Sequence, residues 1–372
     1  MDAPGPWGTG PFTLTEGHSS IETITAIQQV RPQFVATNII TAEDRSPRVV
    51  LEANTDHNTE RTARLARVIF RNDLTAAEAL DAVCDREGEM DIVTELAPGD
   101  AERVRASSHA ELVTIDANRV LVGIFNMWPD RGAPLDDRHA REAINLAVDR
   151  DRLCSDVLCG FATPLASLTP SWENGCFPDA EPRKRDPERA RALLSEAAWP
   201  DGRGLVMATP ASLAGIAEAV ADDLRQAGLD VEVIDVPDEG LIAGTRMLIE
   251  KKLVPPWDVL LHAWFDLSSD LPPAVLHREF FGRDGAFRAG PPIPEFDRMF
   301  AGLLTRIDPE EARRAAEAID KWAFDEAAVL ALCAPQALYA VNRHVNFQAY
   351  RTTFELADTE VSSEHWSRRD GA

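Results

Sequence analysis

The sequence has no long apolar run and no excess of basic residues. Its 372 residues include 38 Lys or Arg and 62 Asp or Glu, which gives a formal net charge of −24. Because nucleic-acid phosphates are bound by basic surfaces, this balance argues against a nucleic-acid partner. No window approaches the roughly 18 uninterrupted apolar residues of a membrane-spanning helix, so we expect none. The acidity suits solubility, and it would also attract a cationic ligand.

A secretion signal and a disulfide framework are also missing from the sequence. The first residues, MDAPGPWGTGPF, contain neither the basic nor the apolar segment of a secretion signal. Only five cysteines occur, and an odd number does not make a disulfide framework. A bridge between Cys159 and Cys176 is one alternative for an exported protein, and free or buried thiols are the other. No cysteine lies in the tight cluster with histidines that a zinc site needs, so we predict no metal site.

Signatures of catalysis are missing as well. The eight histidines are scattered without a His-x-x-x-His pair, and no nucleophile turn of the form Gly-x-Ser-x-Gly appears. Gly8-Thr9-Gly10 lacks the lysine and the helix that a phosphate-binding loop needs. Residues far apart in sequence can still assemble a catalytic site, so activity stays open. The sequence nevertheless predicts no catalytic residue and no cofactor, and its composition favours a binding protein.

The clearest structural signal lies in residues 119–172. Arg119 to Asn126 alternates and then becomes solidly apolar, which predicts a strand. After a loop rich in Pro, Gly and Asp, a helix begins for which Asp136 or Asp137 can be the N-cap. Apolar residues at spacings of 3, 1, 3 and 1 predict its buried face: Ala140, Ala143, Ile144, Ala147 and Val148.

Helices and strands alternate along the rest of the chain, which predicts an α/β fold. Short strands are expected at 48–53 and 66–70, followed by a helix that Asp73 could cap. The stretch between Thr15 and Arg48 is poorly patterned and is interpreted as an irregular insertion.

The region after residue 151 shows a regular series. Asp186-Pro187 and Asp308-Pro309 each provide an N-cap and a proline at the first helical position. The predicted strands are 205–208, 229–236 and 257–264, and the predicted helices between them are 213–227 and 238–252. Such a β-α-β-α-β series is typical of a parallel, doubly wound unit.

The wording of several segments is similar to a known family. LDDRHAREAINLAVDRDRL followed by GFATPLASLTPSW (135–172) resembles the family-5 extracellular solute-binding proteins, the peptide- and nickel-type substrate-binding proteins of ABC transporters. Members carry an asparagine-ended strand, then D-x-R-x-R-x-A-I-N-x-A-x-D-R and G-x-A-x-P. Further similar segments are GTGPF (8–12), GEMDI (88–92) and DPERARALLSEAAWPDG (186–202).

The resemblance extends from Gly8 to Trp366 and implies a two-lobed α/β fold of the periplasmic-binding-protein type (type II), with a hinged cleft between the lobes. We predict lobe one at 1–150, a doubly wound lobe two at 151–330, and a return to lobe one at 331–372. Typical members carry a secretion signal and a large N-terminal section before G-T-G-P-[FY]. This chain begins there, so we expect that section to be lacking, in a fragment or in a natural short paralogue.

One predicted ligand-binding segment is HAWFDLSSDLPPAVL (262–276). It resembles the family's G-W-x-x-D-x-x-D-P loop, which lies at the end of a lobe-two strand and faces the cleft. The resemblance implies that Trp264 supplies an apolar wall and that Asp266 or Asp270 binds an ammonium or cationic group. The alternative for both aspartates is a structural role as turn caps before Pro272-Pro273.

Four more residues are predicted to line the ligand site. Asn126 and Trp128 follow the strand that opens residues 119–172, although Asn126 could instead satisfy backbone groups. Tyr339 and Arg343 lie near the predicted return to lobe one. Arg343 could hold a ligand carboxylate through two hydrogen bonds, whereas a plain surface position is the commoner fate of an arginine.

The resemblance implies binding of a peptide-like or cationic small solute, as the substrate-binding component of an ABC-type importer whose permease would be a partner. It also implies an extracytoplasmic location, whereas a complete chain without a signal peptide would be cytoplasmic. The alternative function is an intracellular enzyme or a ligand sensor built on a truncated solute-binding fold.

Overall fold

The structure is a computed structural model that describes residues 10–17, 27–30, 33–36, 46–55, 63–237, 255–265, 274–351 and 355–369. Its strands, in chain order, are β1 Phe12–Glu16, β2 Ile27–Val30, β3 Gln33–Ala36, β4 Arg48–Ala53, β5 Arg67–Arg71, β6 Ile92–Val93, β7 Ala110–Asp116, β8 Arg119–Phe125, β9 Ala162–Pro164, β10 Leu205–Thr209, β11 Val231–Asp235, β12 Val259–Phe265, β13 Val329–Asn342, β14 Val345–Asn346 and β15 Glu360–Val361. Its helices are α1 Ala76–Asp85, α2 Ala101–Ala106, α3 Arg138–Ala147, α4 Arg150–Arg152, α5 Pro187–Glu196, α6 Ala214–Gln226, α7 Val275–Phe281, α8 Pro294–Leu304 and α9 Pro309–Asp325.

The chain forms two compact units. Unit 1 contains residues 1–28, 36–117 and 336–372, and unit 2 contains residues 29–35 and 118–335. The sequence placed the first boundary near residue 150, whereas residues 118–150 pack in unit 2. The reason is that β8 pairs along its whole length with β12, which draws the adjoining α3 into the same core. That these two units are the two lobes remains a prediction.

Three groups of paired strands lie in the described part of unit 1. In the first, β4 pairs antiparallel with both β1 and β5. In the second, the second half of β13 pairs with β7, from Gln336 opposite Asp116 to Asn342 opposite Ala110, and also with β6. The third is the pair β14 and β15. The segment predicted to be an irregular insertion contributes the paired strands β2 and β3, and its remaining residues lie mostly outside the described ones.

Helix α1 of unit 1 begins two residues later than the sequence indicated. Its N-cap is Thr75, whose hydroxyl accepts a hydrogen bond from the Glu78 backbone N–H, while the Glu78 carboxylate accepts from the Thr75 backbone N–H. Asp73, the predicted cap, is paired with Arg71 at 2.7 Å. The reciprocal Thr-x-x-Glu pair satisfies two amides at once, which explains why it fixes the helix start.

The sheet of unit 2 confirms the predicted parallel series. Strand β10 lies between β11 and β12 and is parallel to both. Strand β12 then pairs antiparallel with β8, and β8 pairs antiparallel with the first half of β13. The predicted helix at 238–252 lies outside the described residues.

Apolar side chains on the two faces of this sheet form two cores. Leu121 and Phe125 of β8 face the core that contains α3, α5 and α6, whereas Val120 and Val122 face the core with α7, α8 and α9. Each such side chain contributes about 2 kcal/mol when it is fully buried. The alternation along β8 therefore explains why a strand with two buried faces reads as a continuous apolar run.

Helix α3 has the predicted cap and the predicted buried face. The Asp137 carboxylate accepts a hydrogen bond from the His139 backbone N–H at 2.8 Å. The five residues of its predicted face are each at most 1% exposed: Ala140, Ala143, Ile144, Ala147 and Val148. Asp186 and Asp308 also cap α5 and α9 as predicted.

Strand β13 is continuous through Pro335 and Gln336. Cys333 to Pro335 pair with β9, and the pairing with β7 starts at Gln336. Because the partner strand changes at Pro335, the proline stands where a strand tolerates a missing N–H. One strand thus contributes its first half to unit 2 and its second half to unit 1.

Candidate functional site

The candidate site lies at one edge of the unit 2 sheet. The parallel strands β10, β11 and β12 all end at this edge, with Thr209, Asp235 and Phe265 as their last residues. In open α/β sheets, ligands bind outside the carboxyl ends of the parallel strands. Trp264, predicted from the sequence as a ligand residue, is the penultimate residue of β12.

Neighbouring rings hold Trp264 in place. Its ring centroid lies 4.2 Å from that of Phe287 and 5.0 Å from those of Phe280 and His262. Two of these contacts are edge-on, the arrangement that aromatic quadrupoles favour. The indole is half-buried, and its Nε1 is fully buried with no hydrogen-bond partner among the described residues.

A second buried polar group lies at the same end of the sheet as Trp264. Trp264 is paired with Val120 of β8, and Asn118 stands two residues before Val120, directly before the start of this strand. Asn118 is 7% exposed, and its Oδ1 is buried without a partner in the part of the chain that the structure describes.

A buried donor and a buried acceptor that both lack a partner are costly. Each such group loses about 1–3 kcal/mol of hydration without replacement, and native proteins retain few of them. The indole Nε1 of Trp264 can donate, and the amide Oδ1 of Asn118 can accept. This edge is therefore chemically suited to a ligand group that offers one acceptor and one donor.

Sequence reasoning missed Asn118. It stands directly after Ala117 in the short link between β7 and β8, where asparagine is typical of a turn. The burial of its side chain depends on the register between β8 and β12, which the sequence pattern alone does not contain.

The structure does not bring Asn126 and Trp128 near Trp264. Because β8 is antiparallel to β12, Asn126 lies beyond the pair Phe125–Val259, at the opposite end of the sheet. Six residues of strand separate it from Val120, which is about 20 Å. Trp128 is half-buried at that same end and precedes a short helical turn, Pro129–Arg131.

Asn126 is fully buried and satisfies backbone groups. Its Nδ2 donates to the carbonyls of Pro255 at 3.1 Å and Trp257 at 2.8 Å, and its Oδ1 accepts from the backbone N–H of Trp128 at 3.2 Å. These bonds fix the chain that leads into β12 and thereby help to position the strand that carries Trp264.

Asp258 also anchors β12. This carboxylate is 0% exposed, and Arg203 donates to both of its oxygens, at 2.7 and 2.8 Å. Its Oδ2 also accepts from the backbone N–H of Val206 at 2.8 Å, so the starts of β10 and β12 are tied together. A buried carboxylate paired in this way is costly to disrupt, because removal of one partner leaves an uncompensated charge.

Tyr339 and Arg343 belong to unit 1. Tyr339 is 7% exposed, and its ring centroid lies 5.0 Å from that of Phe347. Arg343 is exposed; its Nη2 donates to the Ser107 carbonyl at 3.0 Å. It lines a groove of about 340 Å³ within unit 1, together with Glu111.

The remaining predicted ligand residues, Asp266 and Asp270, lie outside the described residues. Among the residues that are described, no group of three or more His, Cys, Asp or Glu side chains could hold a metal ion. All five cysteines, including Cys159 and Cys176, are free thiols.

The sequence matches the family model of the bacterial extracellular solute-binding proteins, family 5 middle region, over residues 34–284. That match covers more than half of the chain. The chain is a family-5 bacterial extracellular solute-binding protein.

Among curated proteins, this solute-binding protein is similar to the nickel-binding periplasmic protein of Escherichia coli (strain K12), with 29% identity over 177 residues, which is 41% of this chain and 32% of that protein. It is also similar to the glutathione-binding protein GsiB of Salmonella typhimurium, with 38% identity over 69 residues, 18% of this chain and 13% of that protein. The matched parts thus span less than a third of the length of these curated relatives.

Two solved structures show the fold. The ABC transporter substrate-binding protein CtaP from Listeria monocytogenes superposes with a TM-score of 0.76 at 17% identity, over 95% of this chain and 67% of that chain. The periplasmic binding protein DppA from Helicobacter pylori, in complex with the peptide STSA, gives 0.72 at 16% identity, over 95% and 63%. This solute-binding protein therefore has the two-lobed α/β fold of periplasmic binding proteins.

In the described ranges, this solute-binding protein has no helix that is both long and apolar enough to span a membrane. Nothing in the comparisons supports the alternative of an intracellular enzyme or ligand sensor.

Proposed function

We propose that the protein binds a peptide-like solute outside the cytoplasm and delivers it to an ABC-type importer. The observation that carries this proposal is the pair formed by the Trp264 Nε1 donor and the Asn118 Oδ1 acceptor, both buried and unpartnered among the described residues, at the carboxyl edge of the unit 2 sheet. Family membership supports the solute-binding role.

The chemistry of the pair favours a peptide group. A peptide carbonyl would accept from Trp264 Nε1, and a peptide N–H would donate to Asn118 Oδ1. The half-buried indole face adds an apolar surface on which the rest of the ligand can pack. The Oδ1 of Asn118 could coordinate a bare metal ion, but such an ion offers no acceptor for the Trp264 N–H, so a free cation fits this edge less well than a peptide does.

Three charged residues are also proposed to bind ligand groups. Asp266 follows β12 directly in sequence and Asp270 stands five residues after it, and both are proposed to bind a ligand ammonium group. Arg343, in its groove in unit 1, is proposed to bind a carboxylate.

The test is a ligand screen on the purified protein. Native mass spectrometry without added ligand would first reveal a co-purified solute. Di- and tripeptides, glutathione and a nickel–histidine complex would then be compared by thermal unfolding and calorimetry. At a hundredfold excess over its dissociation constant, a ligand stabilises the folded state by about 2.7 kcal/mol.

The proposal would be supported if peptides stabilise the protein and if substitution of Asn118 or Trp264 abolishes this stabilisation. A protein that is stabilised only by the nickel complex, or by none of these solutes, would contradict it.

A further inference from the structure

The groove of about 340 Å³ lies within unit 1, since every residue that lines it belongs to that unit. One side of the groove is β7, and the other is formed by residues 343–347, which include β14, and residues 360–362, which include β15. Small-molecule sites have volumes of about 300–1,000 Å³, so this groove is at the small end of that range. Its volume suits a ligand the size of a single amino acid better than a long peptide.

Part of the groove lining is apolar. Val113 of β7 lines it on one side, and Val345, Phe347 and Val361 line it on the other. These four side chains belong to one apolar cluster of unit 1, in which Val345 is 5% exposed and the other three are half-buried. An apolar ligand side chain that packs here would remove apolar surface from water, which favours binding.

Backbone hydrogen bonds hold the sides of the groove in place. Strand β14 pairs with β15, and the Ser362 N–H donates to the carbonyl of His344 at 2.9 Å. The N–H of Arg343 donates to the carbonyl of His109 at 3.0 Å, which ties the turn after β13 to the start of β7. Because the groove is already formed, a ligand that enters it causes little loss of conformational entropy.

Two of the four ionisable residues that line the groove have a charged partner in unit 1. The carboxylate of Glu360 pairs with Arg64 at 3.4 Å. The Nδ1 of His344 lies 3.8 Å from a carboxylate oxygen of Glu364. These two residues therefore do not need a ligand to balance their charge.

The other two, Glu111 and Arg343, have opposite charges, are exposed and form no ion pair with a described residue. The guanidinium of Arg343 donates from Nη2 to a neutral group, the carbonyl of Ser107, and has further N–H donors to offer. Glu111 is opposite Val341 in the β7–β13 ladder, and Arg343 follows Val341 by two residues, so both lie at the same end of this ladder. A carboxylate and a guanidinium that line one groove without pairing suit a ligand that carries both charges.

We propose that this groove binds a free α-amino acid with an apolar side chain. The guanidinium of Arg343 binds the α-carboxylate through two parallel hydrogen bonds, and the carboxylate of Glu111 accepts from the α-ammonium group. The ligand side chain packs against the apolar part of the lining. This inference rests on the proposed role of Arg343 in carboxylate binding, and it concerns a site separate from the edge that carries Asn118 and Trp264.

The two charges also determine which ligands the groove rejects. An apolar carboxylate without an ammonium group is repelled by Glu111, and an apolar amine without a carboxylate is repelled by Arg343. Each of them also leaves one protein charge without a partner. Specificity for a zwitterion thus arises from repulsion as well as from attraction.

The experiment is isothermal titration calorimetry of the full chain with L-leucine and three analogues. 4-Methylpentanoate lacks only the ammonium group of leucine, 3-methylbutylamine lacks only the carboxylate, and glycine lacks the side chain. We expect leucine to bind at least about tenfold more tightly than each analogue, because each loses one charge-assisted contact or the apolar packing. Leucine that binds no more tightly than its analogues would overturn the proposal.

The variants Glu111→Gln and Arg343→Gln test the two charges at exposed positions, where substitution leaves the fold intact. Each should weaken leucine binding about tenfold or more. Glu111→Gln should also narrow the difference between leucine and 4-methylpentanoate, because the repulsion of the carboxylate is gone; a purely structural effect would not do so. Arg86→Gln and Glu89→Gln are the matched controls, since they change an exposed ion pair of unit 1 outside the groove and should leave leucine binding unchanged.

Leucine binding that both groove variants retain would also overturn the proposal. Loss of leucine binding in Trp264→Phe would do the same, since it would place the amino acid at the proposed solute site. The peptide screen tests the proposed function separately. Peptides that bind while leucine does not would contradict this inference alone, and leucine that binds in the groove without any peptide binding would contradict only the proposed function.

Discussion

The ring of Trp264 meets that of Phe287 edge-on, with 4.2 Å between the ring centroids, while the indole Nε1 has no hydrogen-bond partner among the described residues. The apolar contacts fix the orientation of the indole without using its donor. When a ligand accepts a hydrogen bond from this donor, the tryptophan side chain loses little conformational entropy, because its ring is already held. Trp264 is therefore the first residue to vary.

Trp264→Phe removes the donor and keeps an aromatic ring against Phe280 and Phe287. We expect the dissociation constant of a peptide ligand to rise about fivefold to tenfold, since a neutral hydrogen bond contributes about 1 kcal/mol. Isothermal titration calorimetry measures this change.

The matched control is Trp322→Phe, because Trp322 also carries a buried indole N–H without a partner among the described residues, but it lies on α9 within the core. An equal loss of affinity in both variants would mean that the effect is general and that Trp264 does not contact the ligand.

Asn126→Ala should affect stability before it affects binding. The substitution removes hydrogen bonds to Pro255, Trp257 and Trp128, all at a fully buried position. We expect the free energy of unfolding to fall by about 2–3 kcal/mol, measured by urea denaturation. Asn346→Ala, at an exposed position, serves as the control. A stable Asn126→Ala protein with weakened ligand binding would instead place this residue in the ligand site.

Asp320→Asn should destabilise unit 2. This carboxylate is 0% exposed and accepts from His277 Nε2 at 2.9 Å and from the backbone N–H groups of Thr169 and Phe177 at 3.2 and 3.5 Å. An amide cannot accept at both positions, so we expect a loss of about 3 kcal/mol in the free energy of unfolding.

The same change at Asp325, an exposed residue of the same helix that pairs with Lys321, should have little effect. Chemical denaturation of the two variants side by side tests the difference, and similar stabilities would rule out a special role for Asp320.

Cys176 should alkylate slowly at neutral pH. Burial, reinforced by the negative charge of Asp320, raises its pKa from 9.0 to about 11. At pH 8 the thiolate fraction is then about a hundredfold lower than for an ordinary cysteine, because only the thiolate reacts. The rate of reaction with iodoacetamide, followed at Cys176 by mass spectrometry, should keep rising beyond pH 10. A rate that levels off near pH 9 would contradict the raised pKa.

Local sequence signals predicted much of the fold. Asp137, Asp186 and Asp308 cap the helices that they were expected to cap, because an N-cap depends only on a side chain and the next three amides. The predicted start of α1 was wrong, because the sequence offers two good N-cap residues, Asp73 and Thr75, and the structure uses Thr75. The choice between them depends on a second contact, the reciprocal bond with Glu78.

The candidate site was harder to predict, because it depends on strand register and direction. Trp264 was predicted through a sequence segment at the end of a predicted strand. Asn118 was not, since its place at the same end of the sheet as Trp264 follows from an antiparallel pairing of segments that are far apart in the chain. The same pairing sends Asn126 to the opposite end of the sheet. A list of strands in chain order does not contain this information.

The continuity of β13 has a consequence for biosynthesis. Residues 329–335 of this strand complete the sheet of unit 2, and residues 336–342 complete a sheet of unit 1. During translation, neither sheet can be completed until β13 has been synthesised, after more than 300 residues. Until then β8 and β7, which pair with β13, each have an unpaired edge. Such edges are prone to aggregate, so we expect a nascent chain stalled before Val329 to depend on chaperones far more than one stalled after Asn342.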